Sequence, residues 1–436
     1  MNYTRFVRMA AASSRGRHTR FSCTGAKHWV ATLLSVLVIA VTGLAQAQPD
    51  VTITGTLRQS IENLSIGNPS VVRAGLNKSE NRMVEDSTRI IFSAEEDMGG
   101  GWRAVGRLDM RMLLSAGTLL PLGNTFVGLR SATLGGLNFG RRDIHYYNTE
   151  STMHVGAADL RAASTSILAY AGGGTTAIAG ATRTGNIAWW HSPNWNGFTL
   201  LAGYSFNPSG PGADLASAAV QTIGNPASKV RAGSAWAINP NFRAKNWNAG
   251  WSHWNSRPDG GGNAYAIPGS YNSGTADQSA DRFYGSYKID GLRMGFAWDK
   301  SRLTASTANA AGIPGVQGVG GVVGGAFNSG TVISRRVAWS IPVSYEFGMS
   351  EVHLHYSRSR TDTATSTLEN GARMFALSYQ YKLSKRTGLG LTYSKIVNGR
   401  DGQYNFFTST SLGSANAIAN AGEAPRLFAL SIAHSF

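Results

Sequence analysis

The stretch Pro425-Arg-Leu-Phe-Ala-Leu-Ser-Ile-Ala-His-Ser-Phe436 decides how this chain is read. Phe428, Leu430 and Ile432 alternate with Ala429, Ser431, Ala433 and Ser435, and an aromatic residue closes the run. Period two is the mark of a strand with two unlike faces. Chain ends are normally frayed and polar. A strand this regular at the end of a chain needs neighbours on both edges, and its greasy face needs surroundings other than water. Pairing the last strand with the first would close the sheet and leave no edge.

The pattern recurs along the chain. In Val51–Ile61 the odd positions are mostly apolar and the even ones are Thr, Arg58 and Ser60. Ser334–Phe347 sends Val337, Trp339, Ile341, Val343, Tyr345 and Phe347 one way, with Arg336, Ser340, Ser344 and Glu346 on the other side. Tight connections (Asp97–Gly101, Pro193–Gly197, Asp290-Gly291, Gly348–Ser350, Ser384–Thr387) alternate with long polar stretches at 65–86, 143–182, 207–228, 257–280, 302–333 and 399–424. The expected strands are 51–62, 87–97, 101–113, 125–131, 136–142, 184–192, 198–206, 229–238, 243–255, 281–289, 291–300, 334–347, 351–361, 372–383, 387–397 and 425–436. Sixteen strands, with short turns at one end and long loops at the other, form an all-β fold: an antiparallel transmembrane β-barrel. A soluble sandwich or propeller would show the same alternation. It would not collect Trp189, Trp190, Trp195 and Phe198 about one tight turn, or place Tyr204 and Phe206 where a strand meets a long loop. Aromatics at two heights are what a bilayer interface selects.

Residues 1–28 carry Arg5, Arg8, Arg15, Arg17, Arg20 and Lys27 and no acid, followed by an apolar run Trp29–Leu44 and Ala45-Gln46-Ala47. This is the layout of a secretory signal peptide over 1–47, with the barrel domain occupying 48–436 and Met9 as an alternative start. The apolar run is short for a helical span. Without its six basic residues, the 40 Lys and Arg fall to 34 against 24 Asp and Glu, a net charge of +10, and Cys23 is lost. An exported chain with no cysteine has no disulfides to hold it. No later apolar run reaches helix-span length, so a membrane protein of this composition must cross by strands.

Residues 102–112 show how charge divides between faces. Trp102, Ala104, Leu108 and Met110 share one parity; Arg103, Arg107, Asp109 and Arg111 share the other. A barrel of sixteen strands encloses water rather than a packed core, and rings of Arg or Lys in a pore favour anions. Arg58, Arg89, Arg107, Arg111 and Arg183 are assigned to the lumenal wall. Glu351, His353 and His355 share one strand face and could supply metal ligands, but a site would need more from a neighbouring strand; polar lining of the lumen is the plainer reading. Gly318–Gly324 misses the dinucleotide-binding spacing by one residue, and neither a Gly-x-Ser-x-Gly elbow nor, past the signal peptide, a cysteine nucleophile is present. No enzymatic activity, cofactor or bound metal is expected. Nucleic acid is not an expected partner, since no basic cluster interleaved with aromatics survives signal removal.

Three stretches resemble the sixteen-stranded general-diffusion porins of Gram-negative bacteria. They are Ser87-Thr-Arg89 through Glu95-Glu96-Asp97-Met-Gly-Gly; Phe126-Val-Gly-Leu with Asn138-Phe-Gly140-Arg141; and Arg183-Thr-Gly-Asn186 with Ser192-Pro193-Asn-Trp-Asn-Gly197-Phe198. The resemblance implies an outer-membrane homotrimer, passive diffusion of small hydrophilic solutes, and a third long loop, here Asp143–Thr182, folded into the lumen. Glu150 and Asp159 on that loop would then face the arginines across the bore, giving weak preference for inorganic anions. Motif alignment favours Arg141 as the lumenal member of the Arg141-Arg142 pair, whereas strand parity favours Arg142. Leu114–Asn124 is short and apolar, unlike the family's second loop. Pro342 lies in mid-strand, where it removes a ladder bond, and a bulge is expected there. Two other functions fit the same pattern: a porin specific for an organic anion, and a blocked barrel serving as an adhesin or anchor.

Overall fold

The computed structural model describes residues 50–85, 87–114, 117–121, 123–145, 149, 163, 165–168, 183–208, 233–257, 276–305, 310–311, 326–327, 332–363, 369, 371–402, 404–406 and 419–436. The chain divides into units 1–48 and 49–436, and every described residue belongs to the second. The signal peptide expected over 1–47 lies outside the described residues.

The strands are β1 (Asp50–Gly67), β2 (Ser79–Glu85), β3 (Arg89–Gly99), β4 (Trp102–Leu113), β5 (Thr118–Leu120), β6 (Thr125–Ser131), β7 (Gly135–Asp143), β8 (Arg183–His191), β9 (Phe198–Ser205) and β10 (Ser234–Arg243). They continue as β11 (Trp247–Arg257), β12 (Ala276–Ile289), β13 (Leu292–Ala305), β14 (Ala310–Ala311), β15 (Ala326–Phe327), β16 (Val332–Phe347), β17 (Ser350–Thr363), β18 (Ala372–Lys382), β19 (Thr387–Asn398) and β20 (Ala424–Ser435). All but the β14–β15 ribbon join one antiparallel sheet. Two of its staves are interrupted: β3 and then β2 flank the same edge of β1, and β6 and then β5 flank the same edge of β4. Sixteen staves result, closed into a barrel. No helix among the described residues is long and apolar enough to cross a membrane; the strands do so, because only a closed sheet satisfies its backbone in lipid.

The seam explains the terminal pattern. β1 and β20 pair from Thr56–Ser435 to Gly67–Ala424. Past the strand end, Phe436 N–H donates to Gly55 O and Gly55 N–H to Phe436 O, both at 3.1 Å. Glycine is required at 55, since a Cβ there would stand 2.4 Å from the Phe436 ring and 2.8 Å from Arg89 O. Phe428, Leu430 and Ile432 face outward at 54, 48 and 49% exposure, while Leu427 and Ala429 face inward and are buried. Exposed outward aromatics gather near the short turns, among them Trp102, Trp195, Phe198, Phe242, Trp247, Tyr287, Tyr345 and Phe347.

Several strand limits differ from expectation: β1 runs to Gly67, β12 begins at Ala276, β13 ends at Ala305, and Ser79–Glu85 and Thr118–Leu120 are strands inside stretches expected as loops. Residues 229–238 and 243–255 were expected as strands around a turn at 239–242; the strands are Ser234–Arg243 and Trp247–Arg257, with the turn at 244–246. Asn239-Pro240-Asn241 reads as a turn in sequence, yet Pro240 stands opposite Leu200 in unbroken register, and Asn241 Nδ2 bonds Tyr284 Oη and Ala249 O. Nor does Pro342 make a bulge. It pairs in register with His355, and toward β13 the flanking pairs Met294–Val343 and Ala297–Ser340 keep equal spacing. A missing N–H removes one rung without adding a residue. The register shifts fall instead at Asp97/Gly99, Gly140/Arg142 and Leu303/Thr304.

Candidate functional site

Inward parity on five of six adjacent staves, β6 being the exception, brings together arginines far apart in sequence. Arg58 comes from β1, Arg89 from β3, Arg107 and Arg111 from β4, Arg142 from β7 and Arg183 from β8. Arg89 lies directly opposite Arg111, and Arg107 opposite Ser93. Arg58 is fixed by its backbone: its N–H donates to Thr88 Oγ1, and that hydroxyl donates to Arg58 O, each at 2.9 Å.

Two carboxylates serve this wall. Asp109 Oδ1 meets Arg111 Nε at 3.0 Å, and Asp143 Oδ1 meets Arg183 Nε at 2.8 Å. Asn124 joins them: its amide donates to Asp143 Oδ2 at 2.9 Å and its backbone N–H to Asp109 Oδ2 at 3.3 Å. Arg111 also donates to Ser87 Oγ at 2.5 Å. Arg89 feels Asp109 and Asp143 but also Arg58 and Arg183, and Arg142 feels Arg107. Arg107 and Arg142 have no hydrogen-bond partner for Nε among the described residues. The six arginines outnumber Asp109 and Asp143; buried Glu62 and Glu85 stand nearby on β1 and β2, Glu62 paired with Arg82 and Glu85 accepting the Thr88 N–H.

The bulge at Gly140/Arg142 bears on the Arg141-Arg142 ambiguity. Gly140 takes φ +147°, and a Cβ there would sit 2.3 Å from Thr125 O. On one side Arg141 pairs with Thr125; on the other Arg142 pairs with Thr184. The guanidinium of Arg142 lies over buried Trp189, 5.4 Å from the ring centroid, a cation–π contact. Phe126 meets the same indole edge-on at 5.1 Å.

Beyond Asp143 the chain leaves the wall and crosses the inner faces of later staves. His145 Nδ1 is 2.8 Å from Ser252 Oγ of β11, and its Nε2 is 3.6 Å from Asp299 Oδ2 of β13. Arg282 of β12 donates to Thr149 Oγ1 at 2.9 Å. Arg336 of β16 donates to Ile167 O and Leu168 O, in the short helix Thr165–Leu168, and to Asp299 Oδ1. Asp299, Arg282, Ile167 and Leu168 are fully buried. Buried charges persist only when paired and hydrogen-bonded, and Asp299 meets that condition with two guanidinium groups and an imidazole. The described residues of the third long connection therefore pack on the inner faces of β11, β12, β13 and β16. Glu150 and Asp159 lie outside the described residues.

The Arg282–Asp299–Arg336 clamp is the part that sequence reasoning missed. Its only signal was that Arg282, Asp299 and Arg336 fall on the inward parity of three consecutive staves. His353 and His355 also face inward; His355 Nε2 is 2.9 Å from Ser340 Oγ, and His353 Nε2 is 3.5 Å from Glu351 Oε1. No three such side chains come together as a metal cluster among the described residues. On the long-loop side, buried Glu423 accepts Arg73 Nε at 2.8 and 2.9 Å, Arg73 Nη2 at 2.8 Å and Ser70 Oγ at 2.8 Å. Those bonds hold its carboxyl at about 2 against the cost of burial, and the same pairing raises Arg73.

The sequence matches the family model of the Gram-negative porins over residues 32–401. No curated protein matches the chain. Among solved structures, the anion-selective porin from Comamonas acidovorans superposes with a TM-score of 0.64 at 17% identity, covering 89% of this chain and 100% of that one. The trimer form of OmpT, an outer membrane protein of Vibrio cholerae, gives 0.58 at 12% identity, with 89 and 99% covered. OmpF of Salmonella typhi, in complex with daunomycin, gives 0.53 at 10% identity, with 88 and 97% covered. At these identities the structural likeness is one of fold alone, whereas the family match spans most of the sequence. With its closed barrel, its inward loop and its water-facing charges, this chain belongs to the Gram-negative porin family, the channels of the outer membrane.

Proposed function

We propose that the chain works as a weakly anion-selective diffusion channel for small hydrophilic solutes, assembled as a homotrimer after removal of residues 1–47. The reading rests chiefly on the arginine surplus on one inner wall: Arg58, Arg89, Arg107, Arg111, Arg142 and Arg183 answered by Asp109 and Asp143. Glu150 and Asp159 complete the constriction from the loop side and set a field across the bore, and Arg141 lies at its rim. Passive conduction of this kind needs no catalytic group or cofactor, only a wet path whose fixed charge weights the traffic. The trimer is a likeness to the family and to the trimeric form of the Vibrio protein.

The reversal potential of purified channels in a salt gradient tests the selectivity. Wild-type channels will reverse on the anion side, and Arg107→Gln will move the potential toward cations. An unmoved potential would take Arg107 out of the constriction. A second reading has its own observation: Arg142 over Trp189, with Phe126 at its edge, forms a cationic and aromatic shelf suited to an organic anion. Single-channel conductance that saturates with one such anion would favour it; conductance linear in salt favours general diffusion.

A further inference from the structure

We propose that Arg243, Lys288 and Arg293 form a station for doubly charged oxyanions at the short-turn mouth of the bore, on β10 to β13 and apart from the arginine wall. That mouth faces the periplasm in outer-membrane barrels. Arg243 ends the inward row Asn239, Asn241, Arg243 of β10, and Lys288 ends the row Tyr284, Ser286, Lys288 of β12. Lys288 stands directly opposite Arg293 of β13, and Arg293 also feels Arg243. Like charges so placed destabilise a sheet. Arg243 and Lys288 are exposed and enter no ion pair among the described residues.

Acids of this rim stand to one side of the group. Glu346 of β16 is taken by Lys382 of β18. Glu351 of β17 lies 3.5 Å from His353 Nε2 and acts on Lys288 and Arg293 from a distance, and Asp290 sits in the β12–β13 turn. The same mouth below the arginine wall is built differently. There Glu95 accepts Arg103 Nη1 at 3.3 Å and Arg130 Nη1 at 3.0 Å, and Asp97 stands opposite Arg103. The β3–β6 side of the mouth supplies its own counter-charge. The β10–β13 side leaves two cations without an ion-pair partner among the described residues.

Neutral donors complete the station. Asn248 of β11 stands opposite both Arg243 and Ser286; its Nδ2 donates to Ser286 Oγ at 2.6 Å, and Arg293 Nη2 reaches the same oxygen at 3.4 Å. On the long-loop side of these groups Tyr284 Oη lies across Gly250, donating to Asn239 Oδ1 at 2.7 Å and receiving Asn241 Nδ2 at 3.3 Å. A Cβ at 250 would stand 2.4 Å from that hydroxyl, so the glycine is what lets the phenol close this side. Gly295, opposite Ser286, adds no side chain. The result is a shelf of amide and hydroxyl groups edged by two guanidinium forks and an ammonium. Such forks hold oxyanions through two parallel N–H bonds, and several gathered charges favour a dianion over chloride. Conduction requires binding that is weak and spread over more than one site; this shelf gives an anion a second stop after the arginine wall.

The inference rests on the chain being a channel, not on the arginine wall being its filter. Its test is block of the chloride current through single full-length barrels by added inorganic phosphate, succinate or acetate, at about pH 8, where phosphate is mostly doubly charged. Phosphate and succinate will block wild-type channels, and acetate, with one charge, will not. The stronger of the two blockers tells an inorganic oxyanion from a dicarboxylate as the better occupant. Arg243→Gln with Lys288→Gln will raise the half-blocking concentration about tenfold or more, the weight of one charge-assisted contact. Arg243→Lys with Lys288→Arg will keep most of the block. Heat-modifiable migration of the Gln pair should match wild type, since neither side chain holds an ion pair; Lys288→Gln alone, which relieves the repulsion with Arg293, is the second variant and should lose block in the same direction. An unchanged half-blocking concentration in the Gln pair would overturn the proposal, as would acetate blocking as well as phosphate. So would loss of the block in Arg107→Gln as complete as in the Gln pair, since the anion would then be held at the arginine wall. If Arg107→Gln leaves the reversal potential unmoved while the Gln pair loses the block, the selectivity reading falls and the station stands.

Discussion

Two inner walls of one barrel carry the same residue type to opposite ends. On β1, β3, β4, β7 and β8, six arginines line the lumen beside Asp109 and Asp143. On β12, β13 and β16, Arg282 and Arg336 are buried against Asp299, with Arg336 donating to main-chain oxygens and Arg282 to the Thr149 hydroxyl of the third connection. Parity alone sends all of them inward. The difference lies in what meets them among the described residues: the third connection and Asp299 hold one pair as an anchor, while the wall's own Asp109 and Asp143 meet the other set.

The contrast can be broken at the anchor first. Asp299→Asn leaves two buried guanidinium groups without a counterion, a loss of about 3–5 kcal/mol for a buried pair, measurable as a lower denaturant midpoint in micelles. Replacing Arg282, Asp299 and Arg336 together by Met, Leu and Met should cost less than the single change, because no orphan charge remains. If Asp299→Asn unfolds at the wild-type midpoint, the two walls do not differ as described. The next effect is on the cationic wall. Arg107→Gln removes a charge with no ion-pair partner among the described residues and should lower the anion-to-cation permeability ratio by at most about fivefold, the reach of one charge at about 1 kcal/mol in water. Arg183→Gln also changes the local sum by one charge and should move the ratio the same way by no more than Arg107→Gln; a larger shift would place Arg183 nearer than Arg107 to the path of the solute. The smallest effect is a control. The Glu423 carboxyl titrates at about 2, below its ordinary range, so the Arg73 tie is intact above about pH 5 and weakens only as pH falls toward 2. Any change in conductance between pH 7 and 4 therefore belongs to the lumen, and Glu423→Gln should leave it unaltered.

Much of this was legible in sequence. Alternation identified the sixteen staves and put Arg58, Arg89, Arg107, Arg111 and Arg183 on the polar parity of their strands, because a period of two is a local property of the chain. What stayed hidden depends on distance or on one-residue slips. Asn239-Pro240-Asn241 has the composition of a turn and the geometry of a strand. The Gly140 bulge shifts parity by one residue, so no count along the strand could choose between Arg141 and Arg142. The clamp on the third connection arises from register between strands, which a single sequence does not contain.

Arg336 grips the third connection by the carbonyl oxygens of Ile167 and Leu168 rather than by their side chains. A handle made of backbone is indifferent to the letters written on it. Descendants of this chain are thus at liberty to rewrite the inward loop, and with it the taste of the bore, while the same hand keeps holding it in place.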